Sequence, residues 1–391
     1  MNKIKEQIRY IIYLIKRKNY KKLTDSKVNI IPSCNNTKDD YFFGYYDHSP
    51  EKDGKLIYHE MKGKYVNICV MDIYTRKVIS IGRSTAFNWQ MGARAIWINK
   101  DIISYNDFDG EKYICKWYSL TQQDCIKKFD YPLLDNYKQE YFLGINYQRL
   151  KSYAKEYAYN CLPQLEDKKF KDYSHDGIWK IDISTQKRSL LISISDVLEC
   201  QYTPDFDNAY HFLNHIMISP SGKSFIFIHR YYKNNIRYDR LMYYDFNSLK
   251  CLFNDKIQSH FCWIDDSHVF GYGEYKKSLG FYTINVKTLS VEYHDQLTLI
   301  HPKDGHPTYY NKWIVIDSYP DLSRMQSLIA YNIETHKIIK IGEFFHDLKH
   351  KGITRCDLHP RFSGDGKSIY IDTIYSGSRQ LCKIDLNGLL S

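Results

Sequence analysis

Four histidines open short β-rich runs at near-constant intervals: His215 in NHIMISPSGKSFIFIHR, His260 in SHFCWIDDSHVFGYGEY, His306 in GHPTYYNKWIVIDSYPD and His359 in LHPRFSGDGKSIYIDT. They stand 45, 46 and 53 residues apart, the length of one four-stranded propeller blade. A propeller sets equivalent positions of every blade around one central channel, so four imidazoles remote in sequence are expected to converge. A lone histidine is most often a hydrogen-bonded structural residue; the shared place in the repeat is what distinguishes these four. Imidazoles with a carboxylate or water make a shell for a divalent metal ion. The expected ligands are His260, His306 and His359, completed by Asp357, for manganese or calcium.

A metal at such a site would neutralise a substrate carboxylate and acidify the neighbouring proton, the hard step of β-elimination from a uronate. A neutral imidazole or a phenolate tyrosine can then remove that proton. His215 opens the first histidine-led unit, and His229 and Arg230 end the second strand of the same unit, so either histidine is a candidate base. Arg149, in NYQRLK one unit earlier, and Arg230 are expected to hold the substrate carboxylate through charge-assisted contacts. Arg355 and Tyr319 are candidates for substrate contact. Second-strand ends share a face of the ring with first-strand starts. His59, Asn106, Asp317 and Asp372 at those ends extend the expected polar lining, which suits an acidic, hydroxylated ligand. No phosphate loop, GxSxG or HExxH occurs.

These residues require a repeat to position them. Each unit reads as an apolar strand, a turn such as SPSGK or SGDGK, a second strand rich in Ile, Phe, Tyr and Val, and a more polar hairpin. Third strands close on an aspartate or asparagine before a short turn, as in VMDIYTRK, WKIDISTQK, MYYDFNSLK and LIAYNIETHK. Earlier units are expected to begin near His48, Gln90 and Tyr147, which makes seven. The chain of 391 residues is therefore read as all-β, one seven-bladed propeller over 25–391 behind a basic helix at 1–24. The last unit supplies only LHPRFS, SIYIDTI and QLCKIDL. KVNIIP at 27–32 is the expected fourth strand, a clasp that covers an otherwise open edge; the alternative is a three-stranded last blade.

The net charge of +10 is partly concentrated at the start, where Lys3, Lys5, Arg9, Lys16, Arg17, Lys18, Lys21 and Lys22 face one acid, Glu6. The apolar run IRYIIYLI between them is too short for a bilayer, which needs ~20 residues. It fits a helix packed or solvated at the surface, or an interfacial helix on an anionic membrane. No basic patch with a nucleic-acid module follows, so nucleic acid is not an expected partner. Ten cysteines without a CxxC pair fall mostly in apolar runs and indicate a reducing compartment. The expected location is the cytoplasm, with the inner membrane surface as the interfacial variant.

The run HPRFSGDGKSIYIDTIYSGSRQLCKIDL resembles the terminal repeat of TolB-like propellers, and more narrowly of oligogalacturonate lyases. SHFCW is similar to the metal-binding segment of those lyases, and FIHR to the strand end that places a histidine near substrate. The wider set FGYYD, NWQMGA, NYQRL, NHIMISPSG, SHFCW, DGHPTYYNKWIVIDSYPD and RCDLHPR resembles propellers encoded with bacterial capsule and O-antigen genes, some thought to be polysaccharide lyases. This resemblance implies a metal-assisted lyase acting on an acidic surface polysaccharide or oligosaccharide, with Tyr46 and Gln90 of the matched motifs among the substrate contacts. Two rival functions remain: a non-catalytic glycan-binding scaffold, and a protein-interaction platform. The absent GH…WD signature disfavours the second.

Overall fold

The computed structural model describes residues 2–19, 28–31, 39–386 and 388–390, which form an N-terminal helix and a seven-bladed β-propeller. Six sheets have four antiparallel strands; the first has a fifth, because Glu51–Lys52 also pairs with Lys55–Met61. The innermost strands are Tyr41–Phe42, Ile96–Trp97, Asp135–Tyr137, Tyr210–Ile218, Gln258–Trp263, Pro307–Tyr310 and Arg361–Phe362. The second strands lie between two neighbouring blades, so both faces are covered and the sequence runs apolar without alternation. Phe225–Ile228, Ile314–Ile316 and Ile369–Ile371 are all fully buried or nearly so.

An aspartate or asparagine at the end of the third strand builds a recurring turn in five of the blades. Asp72, Asp182, Asp245, Asn285 and Asn332 each accept the backbone N–H of the residue three positions on. A side chain that caps its own turn in this way fixes the hairpin to the fourth strand.

The clasp forms as expected. Val28–Ile31 runs antiparallel to Gln380–Asp385, with Val28 opposite Ile384 and Ile31 opposite Leu381. Lys27 and Pro32, the outer residues of the expected strand, lie outside the described residues, as does the 20–24 end of the expected helix.

Two expected unit starts are corrected. Tyr147 begins a helix, Tyr147–Tyr153, because Asn146 accepts the N–H of Gln148 and caps it. That helix belongs to an insertion between the second and third strands of blade three, whose innermost strand starts earlier, at Asp135. His48 stands at the far end of the axial run that follows Tyr41–Phe42, where it bonds Asp135 at 2.8 Å.

The second-strand ends contact the next blade as well as the channel. His59 Nε2 accepts the N–H of Ala93 at 3.0 Å, and Asn106 exchanges two bonds with the backbone of Leu133. Asp317 accepts the N–H of His359, and Asp372 accepts those of Phe43 and Gly44. Each latch satisfies buried backbone donors where one blade hands over to the next.

Two outcomes are expected. A chain lacking residues 1–24 keeps the clasp and should unfold within a degree or two of the full chain; one lacking 1–31 exposes the edge of Gln380–Asp385 and should lose several degrees and aggregate. Equal melting of the two shortened chains would remove the clasp from the account. Buried histidines give a second test. Burial lowers His59, His211 and His294 to about 4 and His346 to about 3. The unfolded chain therefore binds more protons below the ordinary imidazole value, and stability present above pH ~6.5 should drain away as pH falls toward ~4. Melting temperatures that stay flat across that window would contradict it.

Candidate metal and acid-base centre

Three innermost strands deliver histidines to the axis through irregular backbone. His215 interrupts the register of Tyr210–Ile218 between Asn214 and Met217, with φ 52°. His260 sits at a second register shift, between Gln258 and Phe261. His359 precedes Arg361–Phe362 with φ 45°. A β-bulge re-aims one side chain without disturbing the rest of a strand, and left-handed backbone is uncommon away from glycine. His306 needs no such device. It follows Gly305, where a Cβ would sit 2.0 Å from the carbonyl oxygen of Asp317.

The result is a chain of imidazoles. The rings of His306 and His260 are 4.0 Å apart, those of His306 and His359 4.2 Å, and those of His260 and His215 5.2 Å. Ligand atoms of His306, His359 and Asp357 lie within 4.8 Å of one another. Each ring is held at Nδ1: His260 by Asp304 at 3.0 Å, His306 by Asp317 at 2.9 Å, His359 by the Gly44 carbonyl at 2.8 Å, and His215 by the Tyr45 hydroxyl. The first three partners only accept, so Nδ1 carries the proton and Nε2 presents a lone pair. Nε2 of His260 and of His359 is buried without a partner, as is Nε2 of His215. Tethered Nδ1 and open Nε2 is the arrangement of metal-ligating histidine, so these residues fit a divalent ion. His215 differs, because a hydroxyl partner can donate or accept.

Electrostatics separate the four further. Burial, reinforced by neighbouring cationic groups, pushes His215 and His359 well below the usual imidazole range. Burial also lowers His260, against the opposing pull of Asp304. His306 is raised despite its burial, because Asp317, Asp357 and Asp304 surround it.

The floor of the site is the axial run 43–48. Gly44, with φ 120°, approaches Met91 so closely that a Cβ would lie 2.7 Å from its carbonyl carbon. Arg361 binds the carbonyls of Gly44 and Tyr45 and pairs with Asp372 at 2.7 Å; both charged side chains are 1% exposed. Lower down, Arg94 grips Asp47 with two bonds of 2.8 and 3.0 Å. Tyr45 and Tyr46 are thereby set among the histidines, at ring distances of 5.3 to 6.4 Å. Past this floor, the far ends of the innermost strands enclose a separate cavity of about 410 Å³ beside Tyr46, His48, Trp97, Trp263 and Tyr309.

The other expected site residues divide. Arg230 lies near enough to help depress His215 and to act on Tyr45 and Tyr157; it faces Asp239 at 3.3 Å. Tyr319 stacks edge-on against His306 and bonds Asp304 at 3.4 Å, under the guanidinium of Arg355. Arg355 holds both oxygens of Asp357, at 2.8 Å each. Gln90 donates to the Arg355 carbonyl, and the Tyr46 hydroxyl is engaged by the backbone of Phe261. Those two position neighbours rather than reach outward.

His229 and Arg149 are not brought to the cluster. Successive residues of a strand point to opposite faces, so His229 turns away from the face that Arg230 uses. His211 Nε2–H donates to the Phe206 carbonyl, His229 Nε2–H donates to His211 Nδ1, and Arg240 donates to His229 Nδ1, which occupies both nitrogens. Arg149, on the blade-three helix, pairs with Asp176 at 2.8 Å and donates to the carbonyls of Phe170 and His211. Tyr45 and Tyr157, whose rings lie 5.5 and 5.1 Å from His215, were missed as site residues. Tyr45 was legible in FGYYD beside Tyr46; Tyr157 lies in the insertion and carries no repeat signal.

No family model matches this chain, and no curated protein matches it. Solved structures do. An oligogalacturonate lyase in complex with manganese is similar at TM-score 0.63 and 14% identity, over 90% of this chain and 92% of its own. The oligogalacturonate lyase of Vibrio parahaemolyticus is similar at TM-score 0.63 and 12% identity, over 94% and 100%. A prolyl endopeptidase reaches TM-score 0.52 at 8% identity, over 96% of this chain and 52% of its own. At such identities the likeness is one of fold, which this chain shares with the oligogalacturonate lyases over nine-tenths of its length or more.

Proposed function

We propose that the protein is a metal-dependent polysaccharide lyase that cleaves a uronate-containing bacterial surface glycan or its oligosaccharides by β-elimination, in the cytoplasm or at an anionic membrane face. The observation that carries this reading is the pairing of tethered Nδ1 with unpartnered, buried Nε2 at His260 and His359, around a His306 that touches both. His260, His306 and His359 would hold the ion, with Asp357 or water completing the shell. Three imidazoles suit manganese better than calcium, which takes oxygen ligands. When bound, the ion polarises the substrate carboxylate and makes the adjacent C5 proton more acidic.

The chain's own residues supply the rest. His215, kept neutral by its surroundings, takes the C5 proton on Nε2 while Nδ1–H donates to the Tyr45 oxygen. The C5–H electrons form the C4–C5 double bond as the C4–O bond breaks. The departing oxygen leaves with the C4–O electron pair and takes a proton from water, while His215 returns the proton it took to solvent. Arg230 sits beside this point as the buried cation that meets the developing negative charge. Arg355, expected to contact substrate, is already engaged by Asp357. Arg149 and His229 act on the fold.

The decisive assay incubates the protein with acidic glycans and follows the absorbance of the new C4–C5 double bond. Chelation should abolish the signal, and manganese should restore it better than calcium. Activity that persists after exhaustive chelation would dismiss the metal role, while glycan binding without any unsaturated product would mark a scaffold. His215→Ala should cost ~10²–10⁴-fold in turnover with metal retained. His229→Ala should instead lower stability by ~1–3 kcal/mol, since His211 and Arg240 lose a buried partner, and leave turnover of the folded fraction within about threefold. The reverse ranking would return the base to His229.

A further inference from the structure

The N-terminal helix, Asn2–Asn19, is mounted with its apolar stripe facing away from the protein. A surface helix ordinarily buries such a stripe against the body it covers. Here the one deeply buried side chain among those described is Tyr13, 5% exposed. It packs on Phe345 at 5.3 Å and on Met325, and donates to Asp347 at 3.2 Å. Those contacts belong to the end of blade six. At 3.6 residues per turn, Ile4, Ile8, Ile11 and Ile15 fall within about 60° of arc, centred roughly 180° from Tyr13. Their exposures are 65%, 51%, 55% and 55%, and Leu14 beside them is 37% exposed. Isoleucines left open in a row on a docked helix are the observation to be explained.

We infer that this stripe inserts into the interfacial layer of an anionic lipid surface, with Tyr13 holding the blade-six flank of the propeller against it. Charge decides between a bilayer and a second copy of the chain. Residues 2–19 carry six lysines and arginines against the single Glu6, and Lys5 and Arg9 are exposed. Two such helices laid face to face would repel, whereas anionic headgroups attract them. Among the described residues, no helix is long and apolar enough to cross a membrane, so the contact is with one leaflet. This inference stands independently of the lyase reading.

The test uses the full chain in co-sedimentation with vesicles of phosphatidylcholine alone and of phosphatidylcholine mixed with phosphatidylglycerol. Binding is expected to the mixed vesicles and to weaken with salt. The double substitution Ile8→Asp and Ile11→Asp should lower it by about tenfold or more, and Lys5→Glu with Arg9→Glu should remove the preference for anionic lipid. Neither pair should change the melting temperature, because Lys5, Ile8, Arg9 and Ile11 are all exposed. The inference is overturned if the full chain ignores anionic vesicles, or if the aspartate variant binds them as well as the parent. It is equally overturned if light scattering shows a dimer that the aspartate variant splits, with no vesicle uptake by either.

Discussion

Everything at the axis depends on buried carboxylates that each serve several donors across a blade boundary. Asp317 receives the backbone N–H of His306, the Nδ1–H of the same residue and the backbone N–H of His359, so one side chain orients two of the four histidines. Asp372 does the same for the axial run, through Phe43, Gly44 and Arg361. Burying a carboxylate is costly unless it is paired and fully hydrogen-bonded. These two are, and their donors are groups that would otherwise be orphaned at the strand starts. The seam between blades and the geometry of the site are thus one set of bonds.

That dependence gives the histidines different chemical characters from the same kind of position. An acceptor-only partner at Nδ1 fixes the tautomer, which leaves Nε2 of His260, His306 and His359 as a lone-pair donor suited to an ion. The hydroxyl partner of His215 leaves its proton free to move, as acid-base work requires. Strained backbone occurs at the same places: positive φ at His215 and His359, and the close approach of Gly44 to Met91. Such strain persists where the surrounding bonds over-determine it, and here Asp372, Arg361 and Arg94 hold the axial run from both ends.

The blade-three insertion and the N-terminal helix both lie outside the repeat and serve it differently. The insertion brings Tyr157 to His215 and uses Arg149 to fasten its own helix to Asp176. The N-terminal helix contributes Tyr13 to blade six, and the separate strand Val28–Ile31 supplies the clasp of blade seven.

The sequence by itself determined the number of blades, the clasp and the convergence of His215, His260, His306 and His359. All of these follow from periodicity: residues at one register position of a repeat must meet when the ring closes. It could not decide which of His229 and Arg230 turns inward, because a strand shows both types of face and only the packing of blade four against its neighbours selects one. Nor could it show that Arg149 and Tyr46 are already engaged, since their partners at Asp176 and Phe261 are neighbours only in space. Tyr157 was invisible for the opposite reason, standing where the repeat is broken. Tertiary structure alone assigned the Nδ1 partners, and so separated the three histidines that present a lone pair from the one that can pass a proton: that distinction rests on whether the atom opposite Nδ1 is a bare acceptor or a hydroxyl, which periodicity does not encode.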